Sequence, residues 1–321
     1  MSLIGHKEEI SAFREALDSG RIHHGWLLAG PQGVGKAHFA LAAATRMLAD
    51  AAGPPVSLPG LDVPATHPIA NYVTQGSHPD LKILARLAKD KGDELARSIS
   101  IDQVRSLQSM FATTPSFSQR RVVVIDAIDD LERPAANALL KNLEEPPVGT
   151  IFLLVSHAPG RLLPTIRSRC RLLRFGRLSD SEMARAIAEA DPELPSSEVD
   201  ALVGVGEGSP GRALGFAGLD IAALDAAMET LASKGDPTNA LRADLARKLG
   251  LKAAQPRYEA FLERVPARIA AEAKRRRGQA GTDAIVLWEQ ARAIGDSAVR
   301  ISLDPQTTVF ELGTLLTRLA A

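Results

Sequence analysis

Short apolar runs alternate with amphipathic segments over the first 177 residues. The runs at 25–29 and 151–155 hold no polar residue, and the run at 121–126 is apolar between its charged ends, which is typical of strands buried on both faces. The predicted strands are 25–29, 81–84, 121–126, 151–155 and 170–175. Apolar residues at helical spacing predict helices at 7–19, 100–111 and 134–143, and further helices follow Lys36 and Arg161. This alternation predicts an α/β fold, a parallel sheet with helices on both faces.

From residue 178 onward the pattern is helical only. We therefore predict three domains: an α/β domain at 1–177, a small helical lid at 178–217 and an all-α domain at 218–321. Helix breaks in the last domain are expected at 235–237 and 279–281, and Trp288 is expected in its core.

Two segments of the α/β region show no clear period. Residues 51–78 are rich in Pro and Gly and predict a long excursion from the fold. Residues 85–98 are charged and predict a loop. Both segments lie outside the predicted sheet.

The composition narrows the class of protein. The 38 basic and 38 acidic residues give a formal net charge of zero, which argues against a whole-molecule field that attracts nucleic acid. The single cysteine, Cys170, excludes a disulfide framework and a multi-cysteine zinc site within this chain. No export signal and no apolar stretch long enough to span a bilayer is visible, so we expect a soluble cytoplasmic protein without a membrane partner.

One glycine-rich segment carries the strongest chemical signal. Between the strand at 25–29 and the next helix, the segment 30–37 matches the P-loop pattern G-x-x-x-x-G-K-[ST] except at its last position. Such a loop wraps backbone amides around phosphates, and its lysine meets the outer phosphates. The candidate nucleotide-binding residues are Gly30, Gln32, Gly33, Val34, Gly35, Lys36 and Ala37.

Two positions depart from an active ATPase. Ala37 replaces the Ser or Thr hydroxyl that ligates Mg²⁺, so metal-assisted binding of ATP or ADP should be weakened. Asp126 ends an apolar strand and can hold a metal-bound water, but Ala127 follows it where a water-orienting Glu is expected. Asp129 and Asp130 lie nearby, and a solvated turn explains them better than catalysis. Intrinsic ATP hydrolysis is therefore not expected.

Ser168-Arg169-Cys170 follows a predicted helix at the border of the sheet. An exposed arginine there could reach a neighbouring subunit and stabilise a phosphoryl group. From these three residues alone, a surface salt bridge is the more frequent explanation.

Longer motifs supply context. They are the segments 21–30, 76–80, Ala135-Ala-Asn-Ala-Leu-Leu-Lys-Asn-Leu-Glu-Glu-Pro-Pro147 and Arg161-Leu-Leu-Pro-Thr-Ile-Arg-Ser-Arg-Cys170, with a weaker one at 302–306. In these segments, which cover most of residues 1–217, the chain resembles bacterial clamp-loader subunits, which are AAA+ proteins of the DNA polymerase III holoenzyme. Because it lacks the catalytic residues at positions 37 and 127, it resembles the delta-prime subunit more than the ATP-hydrolysing gamma/tau subunit.

The resemblance implies partners and roles. Arg169 would act in trans, as an arginine finger on ATP bound to gamma, and residues 218–321 would join a collar with gamma/tau and delta. Sliding clamp and primed DNA would be reached through the complex. Family members typically carry a four-cysteine zinc module before Gly76; without those cysteines we expect no zinc and weak order at 51–75. The family's nucleotide-sensing arginine lies close to Arg212, which is offset from the matching place.

Other interpretations stay open at this point. The chain could be an active Mg-ATPase of the gamma/tau type, or a stand-alone P-loop DNA-binding module. The basic run Lys274–Arg277 could contact DNA, although a solvated helix face is the simpler explanation. Arg212 could equally belong to a helix-capping loop.

Overall fold

The computed structural model describes residues 3–88 and 95–320. By its internal contacts the chain divides into two compact units, Met1–Leu214 and Gly215–Ala321. No helix among the described residues is long and apolar enough to cross a membrane.

The first unit is built on a five-stranded parallel sheet with strand order β2-β3-β4-β1-β5. The predicted strands are confirmed to within one residue at each end. Their bounds are β1 (Gly25–Ala29), β2 (Leu81–Ala85), β3 (Arg121–Asp126), β4 (Thr150–Ser156) and β5 (Arg171–Arg174).

Ten helices of the described residues surround this sheet or follow it. They are α1 (Lys7–Asp18), α2 (Lys36–Ala51), α3 (Pro68–Thr74), α4 (Ile101–Arg105), α5 (Leu107–Phe111), α6 (Arg133–Glu144), α7 (Pro164–Arg167), α8 (Asp180–Ala190), α9 (Ser196–Gly206) and α10 (Pro210–Leu214). Short 3₁₀ turns lie at Ile128–Asp130 and Pro159–Arg161.

Alternate residues of each central strand enter different apolar cores. Trp26 and Leu28 pack with α1 and α2, whereas Leu27 packs with α4 and α6 on the other face. Every residue of β1 and β4 is buried, as expected of strands covered on both sides. The predicted α/β fold with helices on both faces is confirmed.

The second unit is helical throughout its described residues. Its helices are α11 (Ile221–Lys234), α12 (Ala240–Leu249), α13 (Gln255–Arg275), α14 (Gln279–Ile301) and α15 (Pro305–Thr317). The predicted break at 235–237 is confirmed. The break predicted at 279–281 is wrong, because α14 already begins at Gln279 and the interruption lies just before it. Trp288 is half-buried rather than central, with the Arg292 guanidinium over its ring.

One prediction for the first unit is also wrong in detail. The helix predicted at 100–111 is divided at Ser106 into α4 and α5, although Ser100 and Gln103 form the expected reciprocal cap at its start. The segment 51–75, for which weak order was expected, contains helix α3. Of the loop predicted at 85–98, residues 89–94 lie outside the described part of the chain.

Arg46, in the middle of α2, accounts for the order of the excursion. Its buried guanidinium donates to the carbonyl oxygens of Leu58 (2.7 Å), Asp62 (3.0 Å) and Val56 (3.2 Å), and its Nε donates to Asp50 at 2.9 Å. A fixed fork of N–H donors can gather several carbonyl groups around one point. The guanidinium thus organises a segment whose lost cysteines had predicted disorder.

Candidate nucleotide site and the opposite edge of the sheet

The P-loop joins the carboxyl end of β1 to the first turn of α2. Gly33 and Gly35 have φ of 76° and 112°, the left-handed region that glycine adopts without a side-chain clash. Gly35 is the N-cap of α2 and offers no side-chain cap to the first amides of the helix. The loop and the helix start therefore present free backbone N–H groups, which is the geometry that binds phosphate.

Lys36 is turned toward its own loop. Its Nζ donates to the carbonyl oxygens of Gly30 (2.7 Å) and Pro31 (2.5 Å), and only 2% of the residue is exposed. Burial lowers the pKa of the amine to about 8, against the opposing influence of Asp126 and Asp129. The ammonium group that would meet a phosphate is thus held by loop carbonyls, and its amine is less basic than that of an ordinary lysine.

The remaining loop residues differ in exposure. Gln32 and Ala37 are exposed, whereas Val34 is buried, and its carbonyl oxygen lies 2.9 Å from Nε2 of His6. The His6 ring packs edge-on against Phe175 at 4.9 Å. Sequence reasoning missed His6 because it precedes α1 and stands outside any periodic pattern.

Asp126 lies at the carboxyl end of β3, next to Val155 of β4 in the sheet register. Burial raises the pKa of this carboxyl, while His157 and Lys36 pull it down. The adjacent Ala127 is 2% exposed, so its side chain lies inside the fold. A glutamate at that position would have to bury a charge or rearrange the chain.

The two nearby carboxylates are engaged structurally. Asp129 accepts hydrogen bonds from Ser156 Oγ (3.0 Å) and from the backbone amides of His157 (2.7 Å) and Ala158 (3.1 Å). Asp130 pairs with Arg86 at 3.2 Å. The expectation of a solvated turn is therefore wrong for Asp129, which ties the turn after β3 to the end of β4.

His157 belongs to the same edge and was not predicted. Its Nδ1 is buried and has no hydrogen-bond partner among the described residues. Burial lowers the pKa of its ring, followed by the nearby Lys36 cation, while Asp129 and Asp126 raise it. Its position directly after β4 was the available signal, since the carboxyl ends of parallel strands form binding sites.

The helical segment before residue 215 closes against the loop. The Gly211 amide donates to the Gly33 carbonyl oxygen at 2.8 Å, and a Cβ built on Gly211 would stand 3.0 Å from the Gly33 Cα. Arg212 pairs through its guanidinium with Glu207 at 3.0 Å, and Glu207 also pairs with Arg177. Gly211 thus contacts the P-loop directly, and the backbone nitrogen of the candidate Arg212 also lies close to it, because a Cβ built on Gly33 would stand 2.6 Å from that nitrogen.

Arg169 lies at the other end of the strands, beside the amino end of β1. A Cβ on Gly25, the first residue of β1, would stand 3.1 Å from the Arg169 carbonyl oxygen and 3.2 Å from Sγ of Cys170. The P-loop begins at Gly30, so the length of β1 separates the two places by about 16 Å, at about 3.3 Å per residue. Burial raises the pKa of the Cys170 thiol to about 12. The structure brings the predicted loop residues and Asp126 together and leaves Arg169 apart.

The basic run in the second unit is partly committed to its own helix. Arg275 pairs with Glu272 at 3.4 Å, and Arg276 lies 3.9 Å from the same carboxylate and donates to the Leu319 carbonyl oxygen. Lys274 and Arg277 are exposed.

The P-loop follows β1, and Asp126 ends β3, with β4 between these two strands. This arrangement in a parallel sheet of this strand order defines a P-loop core of the AAA+ class. Comparison with known proteins gives the family. The family model described as "DNA polymerase III, delta subunit" matches residues 5–179. The chain belongs to this family, which confirms the resemblance to delta-prime and gamma/tau clamp-loader subunits.

Individual relatives agree with that assignment. The delta-prime subunit of Pseudomonas aeruginosa is 34% identical over 190 residues, 58% of this chain and 53% of the relative. The delta-prime subunit of Bacillus subtilis is 32% identical over 178 residues, 55% of this chain and 49% of the relative. The gamma/tau subunit of Mycobacterium tuberculosis is 30% identical over 258 residues, 72% of this chain and 42% of the relative. The chain thus spans about half the length of these relatives.

Among solved structures, a gamma subunit-related protein of Thermotoga maritima is similar with a TM-score of 0.46 and 15% identity. That match covers 98% of this chain and 100% of the other.

Proposed function

We propose that the chain is a delta-prime subunit of the DNA polymerase III clamp loader, which hydrolyses little or no ATP itself and supplies Arg169 to ATP bound by a neighbouring gamma subunit. Its partners would be gamma/tau and delta, and through the complex the sliding clamp and primed DNA. In this proposal residues 1–177 are the AAA+ domain, 178–217 the lid and 218–321 the collar.

The proposal is supported chiefly by the separation of Arg169 from the P-loop. The P-loop follows the carboxyl end of β1, whereas Arg169 lies beside the amino end of the same strand. Arg169 lies about 16 Å from the start of its own P-loop by the length of β1, too far for contact with a nucleotide held there. In a ring of similar subunits, the amino ends of the strands in one subunit can face the nucleotide that the next subunit binds. An arginine there would stabilise charge on the transferring phosphoryl group.

The P-loop side supports the same interpretation. Ala37 offers no hydroxyl to Mg²⁺, and the buried Ala127 carries no acid that could orient water. Lys36 is already satisfied by loop carbonyls. A nucleotide that bound here would meet a phosphate cradle without the groups that activate water.

The test is reconstitution of the loader with gamma/tau, delta and variants of this chain. Arg169→Ala should leave the complex assembled and lower its DNA-stimulated ATPase at least about tenfold, because arginine fingers contribute strongly to phosphoryl transfer. Arg167→Ala, which removes an exposed arginine two positions earlier, is the matched control and should retain normal activity. Equal activity of the two variants would refute the assignment of Arg169.

A further inference from the structure

The Arg169 side chain is held by two acceptors of its own subunit. One terminal nitrogen donates to the Thr165 carbonyl oxygen at 2.9 Å, and the other forms an ion pair with Oε1 of Glu144 at 2.8 Å. We propose that Glu144 is a positioning residue that sets the guanidinium plane of Arg169 for the ATP of the neighbouring subunit. This inference rests on the function proposed above.

The contacts leave the guanidinium able to act. A guanidinium has five N–H donors, and these two contacts engage two of them. Three donors therefore stay available for phosphate oxygens, while the plane that carries them is fixed at both ends. About one third of the Arg169 side chain is exposed, so a ligand from outside can reach it. An arrangement of this kind orients the arginine without consuming it.

Both acceptors of the Arg169 side chain are anchored in one apolar core. Glu144 is the last residue of α6, directly after Leu143, and Thr165 lies in α7 directly before Ile166. Leu143 and Ile166 are each 1% exposed and belong to the same core cluster. Because the core fixes the helices that carry both acceptors, it also fixes the position of the arginine between them.

Helix stability gives no reason for a carboxylate at this place. An acid in the last turn of a helix interacts unfavourably with the helix dipole, and α6 ends in Glu144 followed by Glu145. An exposed ion pair adds little to folding stability. Positioning of Arg169 therefore explains the carboxylate of Glu144, which the stability of α6 does not explain.

The inference is tested in the reconstituted loader by the steady-state ATPase with primed DNA and clamp, measured as kcat and KM for ATP. Glu144→Ala should lower kcat about 3- to 30-fold and leave KM within about twofold, since a misplaced catalytic group affects the transition state more than ground-state binding. Glu144→Gln keeps an oxygen acceptor and should recover most of the loss. Glu145→Ala, a neighbouring exposed acid, is the matched control and should behave as the unmodified chain.

Arg169→Ala and the double variant complete the design. If Glu144 acts through Arg169, adding Glu144→Ala to Arg169→Ala should cause no further loss of kcat. A full effect of Glu144→Ala in the Arg169→Ala background, or no effect in the unmodified one, would overturn the positioning role while leaving the finger intact. Normal ATPase with Arg169→Ala would instead remove the proposed function and this inference with it.

Discussion

Replacing Arg46 by Met should destabilise the first unit and release the excursion at residues 52–62. Methionine preserves much of the apolar stem but removes every hydrogen-bond donor of the guanidinium. The carbonyl oxygens of Leu58, Asp62 and Val56 would lose their common partner, and Asp50 would lose one of its two arginines.

The magnitude follows from burial. The Arg46 side chain is 4% exposed and makes four hydrogen bonds, each of a kind that contributes about 1.5–3 kcal/mol when one partner is charged. Part of this is recovered, because the freed carbonyls of a surface excursion can bind water. We therefore expect a loss of about 3–5 kcal/mol, the usual cost of removing one partner from a buried charged network.

Arg14→Met is the matched control. Arg14 also pairs with Asp50, at 2.8 Å, but its side chain is 27% exposed, so its loss should cost at most about 1 kcal/mol. Urea unfolding measures the total, and hydrogen exchange of residues 52–62 localises it, which matters because the chain has two compact units. A cost for Arg46→Met no larger than that of Arg14→Met would refute the organising role of this residue.

Three further predictions concern the P-loop. A bound phosphate should raise the pKa of Lys36 above its value of about 8. ADP binding, measured by calorimetry, should therefore weaken as pH rises through 8, by up to about tenfold per pH unit. A constant affinity from pH 7 to 9 would contradict this. Ala37→Ser should strengthen ADP binding in Mg²⁺ relative to EDTA by several-fold without ATP turnover, and an unchanged ratio would show that the hydroxyl is not the missing ligand. Gly211→Ala should lower the free energy of unfolding, measured by thermal unfolding, by about 1–3 kcal/mol because its Cβ would crowd Gly33. Gly204→Ala, whose Cβ would enter open space, should be neutral or stabilising. Equal effects of the two variants would argue against the contact between Gly211 and Gly33.

The sheet was predictable because its signals are local. Uninterrupted apolar runs such as Val122–Ile125 have no alternative to burial, and the register then follows from their parallel pairing. The P-loop was predictable for the same reason, since the glycines, the lysine and the flanking elements are contiguous in sequence.

The excursion itself was predicted, but its internal organisation was not, because the residue that organises it lies outside it. Arg46 occurs in an alanine-rich helix and reads as a surface arginine, and only the folded chain shows that it gathers carbonyls from residues 56, 58 and 62. His157 and His6 were missed for a similar reason. Each is a single residue whose neighbours in space are remote in sequence. The pairing of Arg169 with Glu144 likewise joins two segments that sequence reasoning had considered separately.

We propose that this chain contributes chemistry through Arg169 rather than through its own P-loop. The most direct measurement compares Lys36→Ala and Arg169→Ala, each reconstituted with unmodified gamma/tau and delta, in one DNA-stimulated ATPase assay. We expect nearly normal turnover with Lys36→Ala and a loss of at least about tenfold with Arg169→Ala. The reverse pattern, with turnover abolished by Lys36→Ala and unchanged by Arg169→Ala, would contradict it.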